Sequence, residues 1–525
     1  MATPALAAVP DDPRPLIRVG TELHENVDKA IDALVFDRGL YQKEGALVHV
    51  TRAPGEGPIV RQVSPAHMRE RLTAAARWER QEKARKGDDI GGNWIRCIPP
   101  DNIVHACVHP GRAGDRIRSL LGIIEAPALR PDGSVIEEPG YDDATGFLYE
   151  PTEKFPKVPE RLTRDVATRA LDALREPFAD FPFRGEADRM ACIAGILVML
   201  ARPAILGATP AIIVDASTPG SGKTLIVDTI AIIATGRGAP RMVFSDDDDE
   251  VSKTLGSCAL QGERIVAFDN IAYPFGGGPI DMVLTADDAV KLRVLGKSAS
   301  PDQRWRACIF GTANNVTYKG DAFRRVLAPR LEPTLENPEE RTGFKHDDLR
   351  AWARQNRARL VCAGLALLRA FTLAGSPREG VKLWGSFEAW SSLIPAAIVW
   401  AGGADPMGCR PVADEDSRDE ERAAVSTIIG ALKMIAPPEG ITARGFVDAL
   451  YPQDRIRGEA APDGYDDARE AVEALTKTPP GKKPDAARLG YVLRKWRRRV
   501  VGDRRLEAAP DRSGVARWLV AERSK

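Results

Sequence analysis

Three short apolar runs in the middle of the chain each end in polar side chains that could together bind a triphosphate. The first run, Ala211–Ala216, leads into "STPGSGKT" at 217–224. The second ends in Asp269, 46 residues after Lys223, and the third ends in Asn314, after another 45 residues. The carboxyl ends of parallel strands share one edge of a sheet, where ligands bind. The three clusters are therefore predicted to meet at one phosphate-binding site.

The segment "STPGSGKT" has the residue types and spacing of a phosphate-binding loop. A strand that passes through a glycine-rich turn into a helix directs backbone N–H groups and the helix dipole at one point, which favours an anion. Lys223 would contact the β- and γ-phosphates, and the Thr224 hydroxyl would coordinate Mg²⁺. An ordinary glycine-rich turn would leave Gly-Lys-Thr at a helix start unexplained. Ser217 stands where the full pattern has glycine. The residues predicted to bind the nucleotide are Ser217, Pro219, Gly220, Ser221, Gly222, Lys223, Thr224 and Leu225.

The second cluster, "RIVAFDNIA" at 264–272, predicts a buried strand whose end presents a carboxylate. Asp269 is placed to hold Mg²⁺ opposite Thr224, and the alternative is a structural aspartate that caps a turn. ATPases of this kind usually carry an acidic residue next, which orients the attacking water, whereas this chain has Asn270. Asn270 therefore leaves open whether hydrolysis is fast or slow. Glu250, at the end of "SDDDDE", is either a substitute carboxylate or part of a solvated acidic run.

The third cluster, "RACIFGTANN" at 306–315, predicts a strand that ends in amides. The Asn314 amide is suited to hold the γ-phosphate or the attacking water. The following segment, "GDAFRRVLAPRLEP", supplies Arg324, Arg325 and Arg330. An arginine at this place is suited to stabilise transition-state charge on the nucleotide of a neighbouring subunit, and the alternative is a surface salt bridge.

These motifs together resemble superfamily 3 helicases, in particular the ATPase module of phage and plasmid primase-helicases related to the poxvirus type. The resemblance covers about 206–335 and extends more weakly to "GYDDATGFLYEP" and "FEAWSSLIPAAIVWAG" on the two flanks. It implies an AAA+ fold, a ring that is usually a hexamer, ATP and Mg²⁺ as cofactors, and movement along single-stranded DNA. A phage or plasmid protein of this kind would act in the cytoplasm of a bacterial host.

The resemblance also implies a role for each matching residue. Lys223 and Thr224 would be the Walker A pair, and Asp269 would be the Walker B carboxylate. Asn314 would be the sensor, and either Arg324 or Arg325 would be the arginine finger. The chain departs from the family at Ser217 and Asn270.

A hairpin is predicted between the second and third clusters, in "LRVLGKSASPDQRWRACIF" at 292–310. Two strand-like runs flank a turn of small and polar residues. In the helicases that the chain resembles, a hairpin at this place enters the central channel and contacts DNA through a basic residue. Lys297, Arg304 and Arg306 are the available charges, and the alternative is a solvent-exposed turn.

The last 45 residues are strongly basic, although the whole chain is neutral with 74 basic and 74 acidic residues. Residues 481–525 hold 14 Lys or Arg against 5 Asp or Glu. A helix with one apolar and one basic face is followed by two predicted strands, which is the pattern of a winged helix that binds duplex DNA. The alternatives are an RNA-binding or protein-docking winged helix, or a basic face that is simply solvated. The predicted DNA contacts are Arg494, Arg497, Arg498 and Arg504.

Length and composition predict several domains of mixed α/β class in a reduced intracellular compartment. The seven cysteines are scattered without Cys-x-x-Cys spacing, and "ACIAGILVMLARPAIL" is too short an apolar run to span a bilayer. His105, Cys107 and His109 would share one face of a predicted strand as a candidate metal cluster or as half-buried side chains. The predicted divisions are a flexible tail (1–15), an α/β domain of unassigned role (16–160), a helical lead-in (161–205), a P-loop AAA+ core (206–335), a helical domain (336–435) and a winged-helix domain (436–525).

The leading functional hypothesis is an ATP-dependent DNA helicase or translocase that acts in replication of a phage, plasmid or integrated mobile element. A separate primase or polymerase partner is expected, because the first 205 residues lack a convincing Asp-x-Asp with a following His pair. The alternative is an origin-binding AAA+ initiator or loader that uses ATP mainly as an assembly signal, which Asn270 favours. A small-molecule kinase would leave Asn314, the arginines and the basic tail without a role.

Overall fold

The computed structural model describes most of the chain, and its residues pack into two compact units, Met1–Pro411 and Val412–Lys525. Each unit has a hydrophobic core of its own. Among the described residues, no helix combines the length and apolar character that crossing a membrane requires. The described residues are 12–52, 57–82, 93–287, 289–293, 302–333, 338–378, 380–411, 415–452, 465–497, 500–501, 504–510 and 516–522.

The first part of the larger unit is a mixed α/β region of small sheets and three helices. The sheet orders are β1-β5-β6, β2-β3-β4 and β10-β11-β7, and β8 pairs with β9. The helices are Leu23–Leu34 (α1), Pro65–Ala75 (α2) and Asp101–Cys107 (α3). The strands are Leu16–Arg18 (β1), Tyr41–Lys43 (β2), Ala46–Arg52 (β3), Pro58–Gln62 (β4), Arg77–Gln81 (β5), Trp94–Arg96 (β6), Gly122–Ile124 (β7), Ala128–Leu129 (β8), Val135–Ile136 (β9), Gly140–Asp142 (β10) and Phe147–Tyr149 (β11).

The strand predicted for "VHACVH" is wrong, because this segment belongs to helix α3 and the turn after it. Pro100 precedes the helix in an extended conformation, and Ile103, Val104 and Cys107 are buried on one helical face. Helical spacing therefore buries more apolar surface here than strand alternation would. His105 is exposed while Cys107 is buried, and the described residues contain no cluster of three or more metal-ligand side chains.

A parallel sheet forms the centre of the larger unit, in the order β13-β14-β18-β12-β20, and β21 also pairs with β12. The helices around it are Arg164–Arg175 (α4), Glu186–Ala201 (α5), Lys223–Thr235 (α6), Asp248–Gln261 (α7) and Gly278–Val283 (α8). The strands of this region are Ala211–Ala216 (β12), Arg241–Met242 (β13), Ile265–Ile271 (β14), Phe275–Gly276 (β15), Ala289–Lys291 (β16), Asp302–Arg304 (β17), Cys308–Asn314 (β18), Tyr318–Lys319 (β19), Val326–Leu327 (β20) and Arg330–Leu331 (β21).

Both faces of this sheet are covered, which explains why its central strands are continuous apolar runs. Ile212 and Val214 of β12 pack against α5 and α6, whereas Ala211 and Ile213 pack on the opposite face with residues of α7 and α8. The run "ACIAGILVML" lies in α5, whose residues from Met190 to Ala201 are all buried. The prediction of a buried helix at this place is confirmed.

Three further helices complete the larger unit: Leu349–Gln355 (α9), Arg357–Leu373 (α10) and Glu388–Trp400 (α11). Helix α10 packs closely against α4 and also contacts α5 and α6. Helix α6 begins directly after the glycine-rich loop. The buried Arg357 of α10 donates hydrogen bonds to the carbonyl oxygens of Ile233 and Ala234 at 3.1 and 3.3 Å. A guanidinium at a helix C-terminus is favourable because it neutralises the negative end of the helix dipole.

The smaller unit consists of helices and one antiparallel sheet in the order β22-β25-β24-β23. Helix α12 belongs to this unit, although the sequence prediction placed residues up to 435 in the preceding helical domain. The helices are Glu415–Ile435 (α12), Ala443–Leu450 (α13), Asp466–Thr476 (α14) and Ala486–Trp496 (α15). The strands are Ile441–Thr442 (β22), Val500–Val501 (β23), Arg504–Pro510 (β24) and Ala516–Glu522 (β25).

Candidate functional site

The loop between β12 and α6 has the backbone of an anion-binding turn. Gly220 and Gly222 have φ angles of +73° and +90°, in the left-handed region that favours glycine. A Cβ atom at Gly222 would also lie 2.9 Å from Cε1 of Phe181, so a larger residue is excluded on two grounds. Ser217 does not have a positive φ angle, so serine at this position causes no backbone strain of the kind that glycine would relieve.

Lys223, the first residue of α6, is buried and its ammonium group is held by three oxygen atoms. It donates hydrogen bonds to Thr218 O at 3.1 Å, to Ser221 Oγ at 3.1 Å and to Asn314 Oδ1 at 2.8 Å. Burial lowers the pKa of Lys223, and the carboxylates of Asp215 and Asp269 oppose that shift. The structure therefore places a positive charge at the loop and in contact with the end of β18.

A hydroxyl and a carboxylate meet beside this lysine. Thr224 Oγ1 donates a hydrogen bond to Asp269 Oδ1 at 3.1 Å, and Thr312 Oγ1 donates to the same oxygen at 2.8 Å. Mg²⁺ prefers oxygen ligands and is commonly held by one or two protein groups, with water and phosphate completing its shell. The donor set of Thr224 and Asp269 therefore fits the predicted Mg²⁺.

Asn270 lies in a β-bulge of β14 with φ of +52°. Its backbone N–H donates to Thr312 Oγ1 at 2.7 Å, and its side chain is exposed. Asparagine tolerates the left-handed region better than most residues with a side chain, which gives a backbone reason for an amide at this position. A neutral amide can orient water but cannot take its proton.

The candidate carboxylate Glu250 lies in the first turn of α7, where it forms an ion pair with Lys253 at 2.6 Å. This is an ordinary ion pair between residues three positions apart on a helix surface. Asn315, which follows Asn314, has its side-chain oxygen 2.9 Å from the Arg330 guanidinium. Arg330 also forms an ion pair with the buried Asp215. Arg330 is therefore engaged within its own chain.

The two other arginines lie near the amino-terminal edge of the sheet, away from the loop. Val326 at the start of β20 pairs with Ala211 at the start of β12, and Arg324 and Arg325 directly precede Val326. Five residue steps of β12, about 17 Å, separate Ala211 from the beginning of the loop. Arg325 forms an ion pair with Asp281 of α8. Arg324 is exposed and forms no ion pair with any described carboxylate.

A cavity of about 490 Å³ adjoins the phosphate loop at Gly220, Ser221 and Gly222. The ring of His346 in its wall stacks on Trp352 with a centroid distance of 4.1 Å, and its buried Nε2 has no hydrogen-bond partner among the described residues. Sequence reasoning missed this cavity, because the walls beside the loop come from two segments, 177–182 and 333–349, that carry no motif and are far apart in the chain. Its apolar wall is formed by Phe181, Pro182, Leu225, Phe344 and Leu349.

The predicted hairpin is present, but its strands differ from the predicted ones. Ala289–Lys291 pairs antiparallel with Asp302–Arg304, so the first strand lies before residue 292 and the second includes residues expected in the turn. Arg304 is exposed, and its backbone N–H donates to Glu44 Oε1 at 3.0 Å. Lys297 lies outside the described residues.

The basic residues of the smaller unit lie around the end of α15 and the strand after it. Arg494 is exposed in the last turn of α15, and Arg497 is exposed directly after the helix. Arg504 is half-buried in β24, opposite Glu522 of β25. Arg498 lies outside the described residues. The helix and the antiparallel pair expected for this region are therefore present.

Fold and site define a mixed α/β protein with a parallel sheet, consistent with the P-loop nucleotide-binding fold. No family model and no curated protein matches the sequence. Among solved structures, the chain is similar to the C-terminal region of NrS-1 in its apo A form, with 10% identity over 90% of this chain and 96% of that chain and a TM-score of 0.34. It is also similar to the JCV helicase bound to an acetamide compound, with 13% identity over 51% of this chain and 72% of that chain and a TM-score of 0.18. TM-scores this low do not establish a shared fold, so the interpretation of the site depends on its own geometry.

Proposed function

We propose that the chain is an ATPase that assembles into a hexameric ring. It would use ATP hydrolysis to move along and unwind DNA during replication of a phage, plasmid or mobile element. The observation that supports this most directly is the meeting of Lys223, Thr224, Asp269 and Asn314 at one edge of the parallel sheet. A buried ammonium, a hydroxyl, a carboxylate and an amide at a glycine-rich helix start are the groups that triphosphate hydrolysis needs.

Each residue of this cluster has a distinct task in the proposed reaction. The loop N–H groups and Lys223 bind the β- and γ-phosphates, and Thr224 and Asp269 hold Mg²⁺. Bound Mg²⁺ would neutralise phosphate charge. Asn314 positions the γ-phosphate or the attacking water through its amide. Arg324 acts on the nucleotide of a second copy, because it lies at the opposite edge of the sheet from its own loop.

The cavity beside the loop is suited to the nucleobase. Its volume of about 490 Å³ is within the usual range for small-molecule sites, and its wall combines apolar surface with a few polar side chains, among them His346. Phe181 and Leu225 offer surface for the ring system, and His346 Nε2 offers a polar contact at the edge of the base. A complete nucleoside triphosphate, rather than an inorganic anion, is therefore the proposed ligand.

The smaller unit is proposed to be a winged helix that binds duplex DNA. Strand β22 between α12 and α13 pairs with β25, and α15 precedes the β24–β25 hairpin, which is the arrangement that the proposal requires. Exposed Arg494 and Arg497 place positive charge at the end of α15. The helix would enter a groove while the hairpin contacts phosphate.

Substitution of Arg494 or Arg497 by alanine is expected to weaken duplex binding and its salt dependence. Each phosphate contact that is lost should reduce the slope of log Kobs against log salt concentration by about 1. Fluorescence anisotropy over a salt series measures this slope. Arg444→Ala, an exposed arginine on α13, is the matched control and should leave the slope unchanged. If wild type and both variants have equal slopes, the proposal that Arg494 and Arg497 contact DNA phosphates is wrong.

The central test of the proposed function is ATP hydrolysis and strand separation by the full-length protein. Single-stranded DNA is expected to raise ATP turnover, and a forked duplex should be separated only when ATP is hydrolysed. Steady-state phosphate release and gel analysis of the fork are the measurements. Turnover that does not respond to DNA would contradict a DNA motor.

The initiator or loader remains a second candidate, because Asn270 presents a neutral amide where a carboxylate would activate water. An initiator would bind origin duplex and assemble on ATP, yet it would hydrolyse slowly and separate no strands. Asn270→Asp discriminates between the two candidates. Faster ATP turnover together with strand separation would support a helicase whose hydrolysis Asn270 slows. Faster turnover without strand separation would support the initiator or loader.

A further inference from the structure

Trp384, in the segment between α10 and α11, is a buried tryptophan that contacts the backbone of the exposed Arg324. Its indole Nε1 donates a hydrogen bond to Arg324 O at 3.1 Å, and its backbone N–H donates to Ser391 Oγ at 3.1 Å. Its ring packs edge-on against Phe387 and Trp390, with centroid distances of 5.0 and 5.9 Å. The indole is therefore held rigidly, and it fixes the backbone of Arg324.

A second arginine lies on the same tryptophan. The guanidinium carbon of Arg410 is 4.3 Å from the centroid of the Trp384 ring. Backbone contact positions this segment, because Ala328 N–H, just after β20, donates to Cys409 O at 3.2 Å. Trp384 thus contacts the backbone of Arg324 and the guanidinium of Arg410, two residues that are 86 positions apart in sequence.

The charge of this pair is not balanced within the described part of the chain. Neither guanidinium forms an ion pair with a described carboxylate, and both side chains are exposed. Burial lowers the pKa of Arg410, and the nearby charge of Arg324 lowers it further, while Asp405 opposes both. The Asp405 carboxylate accepts the Met407 N–H at 2.9 Å. Two neighbouring arginines that form no ion pair with a described carboxylate are a favourable site for the oxygen atoms of a phosphate.

The phosphate of the chain's own nucleotide is at the far edge of the sheet from this pair. Arg324 precedes β20 next to the start of β12, whereas the phosphate loop follows the end of β12. Cys409 and Ala328 hold Arg410 at the same end. An anion bound by this pair therefore comes from another molecule.

We propose that Arg324 and Arg410 together form a phosphate site on Trp384 that binds the terminal phosphates of the nucleoside triphosphate held by a second copy of the chain. This inference rests on the proposed function and adds Arg410 as a second arginine of the shared site. Its stacking on Trp384 leaves the guanidinium edge available to donate hydrogen bonds.

The pair acts on charge that develops during hydrolysis in the neighbouring copy. The bond from the γ-phosphorus to the bridging oxygen breaks, and its electron pair stays on the leaving diphosphate. The water oxygen forms the new bond, and its proton passes to solvent. Arg324 and Arg410 donate hydrogen bonds to the phosphate oxygens throughout, so the stabilisation is greatest in the transition state.

Arg410→Ala is expected to lower kcat for ATP by about 100-fold, the usual cost of removing one such donor. Arg410→Lys keeps the charge but not the planar fork, so it should recover only part of this loss. Arg378→Ala, an exposed arginine in a loop after α10, is the matched control and should behave as wild type. Thermal unfolding should be unchanged in all three variants, since Arg410 is exposed.

Mixing separates action between copies from action within one copy. Arg410→Ala retains an intact phosphate loop, and Lys223→Ala retains both arginines. An equimolar mixture of the two is expected to hydrolyse ATP faster than the sum of the separate proteins. No gain in the mixture would overturn the assignment to a second copy.

DNA is the other source of phosphate, and it predicts a different result. Unchanged kcat without DNA, together with weaker binding of a single-stranded oligonucleotide by Arg410→Ala, would overturn the nucleotide assignment. If Arg410→Ala hydrolyses ATP with the same kcat as wild type, this inference is wrong, but the proposed function is not contradicted. If wild type has no turnover, the proposed function fails, and ATPγS-dependent self-association measured by sedimentation decides the inference. Equal association of wild type and Arg410→Ala would then overturn it.

Discussion

Lys223→Ala is expected to lower ATP turnover by at least about 100-fold and to weaken ATP binding. The ammonium is buried, and it contacts the loop at Thr218 and Ser221 and the end of β18 at Asn314. Alanine removes both the positive charge and the link between these two elements. Steady-state phosphate release and binding of a fluorescent ATP analogue measure the two effects.

The fold should survive this substitution, because the Asn314 side chain is exposed and can hydrogen-bond water instead. A thermal unfolding curve close to that of wild type checks this expectation. Lys157→Ala is the control, since Lys157 is exposed and forms only a surface ion pair with Glu138 at 3.5 Å. Turnover by Lys223→Ala within a few-fold of wild type would show that hydrolysis occurs elsewhere.

Arg324→Ala is expected to lower kcat by about 1000-fold while ATP affinity changes little. An arginine that acts across an interface stabilises charge in the transition state and contributes less to ground-state binding. The exposed Arg324 is free for this task within the described residues, and the site that it would complete belongs to a second copy. Separate measurement of kcat and KM tests the expected split.

Arg325→Ala is the informative comparison, because the sequence offered the two arginines as equals. Arg325 pairs with Asp281, whose pKa is raised by burial, and the Arg325 charge opposes that rise. Removing Arg325 should cost about 1 kcal/mol of stability and leave kcat near the wild-type value. A large loss of kcat in Arg325→Ala, with Arg324→Ala active, would transfer the arginine-finger role to Arg325.

Much of the candidate site could be predicted because its signals are local in sequence. The glycine-rich turn before Lys223 was predicted from residue types alone, and the structure adds that Gly220 and Gly222 have positive φ angles there. Strands β12, β14 and β18 are apolar because both faces of the sheet are buried. The change from apolar to polar residues therefore marked where each strand ends. The strand predicted across His105 failed because alternation and helical spacing coincide over so few residues.

The sequence by itself determined the glycine-rich loop before Lys223, the central strands of the sheet and the basic character of the last residues, because each depends on neighbours within a few positions. Only the tertiary structure decided that Arg325 and Arg330 form ion pairs inside the chain, whereas Arg324 pairs with no carboxylate in the described part of the chain, and that Asn270 occupies a bulge. It alone brought Phe181 and His346 to one cavity and Arg410 onto Trp384. These contacts join segments far apart in the chain, and no local pattern of residues specifies which distant side chain will fill the space beside another.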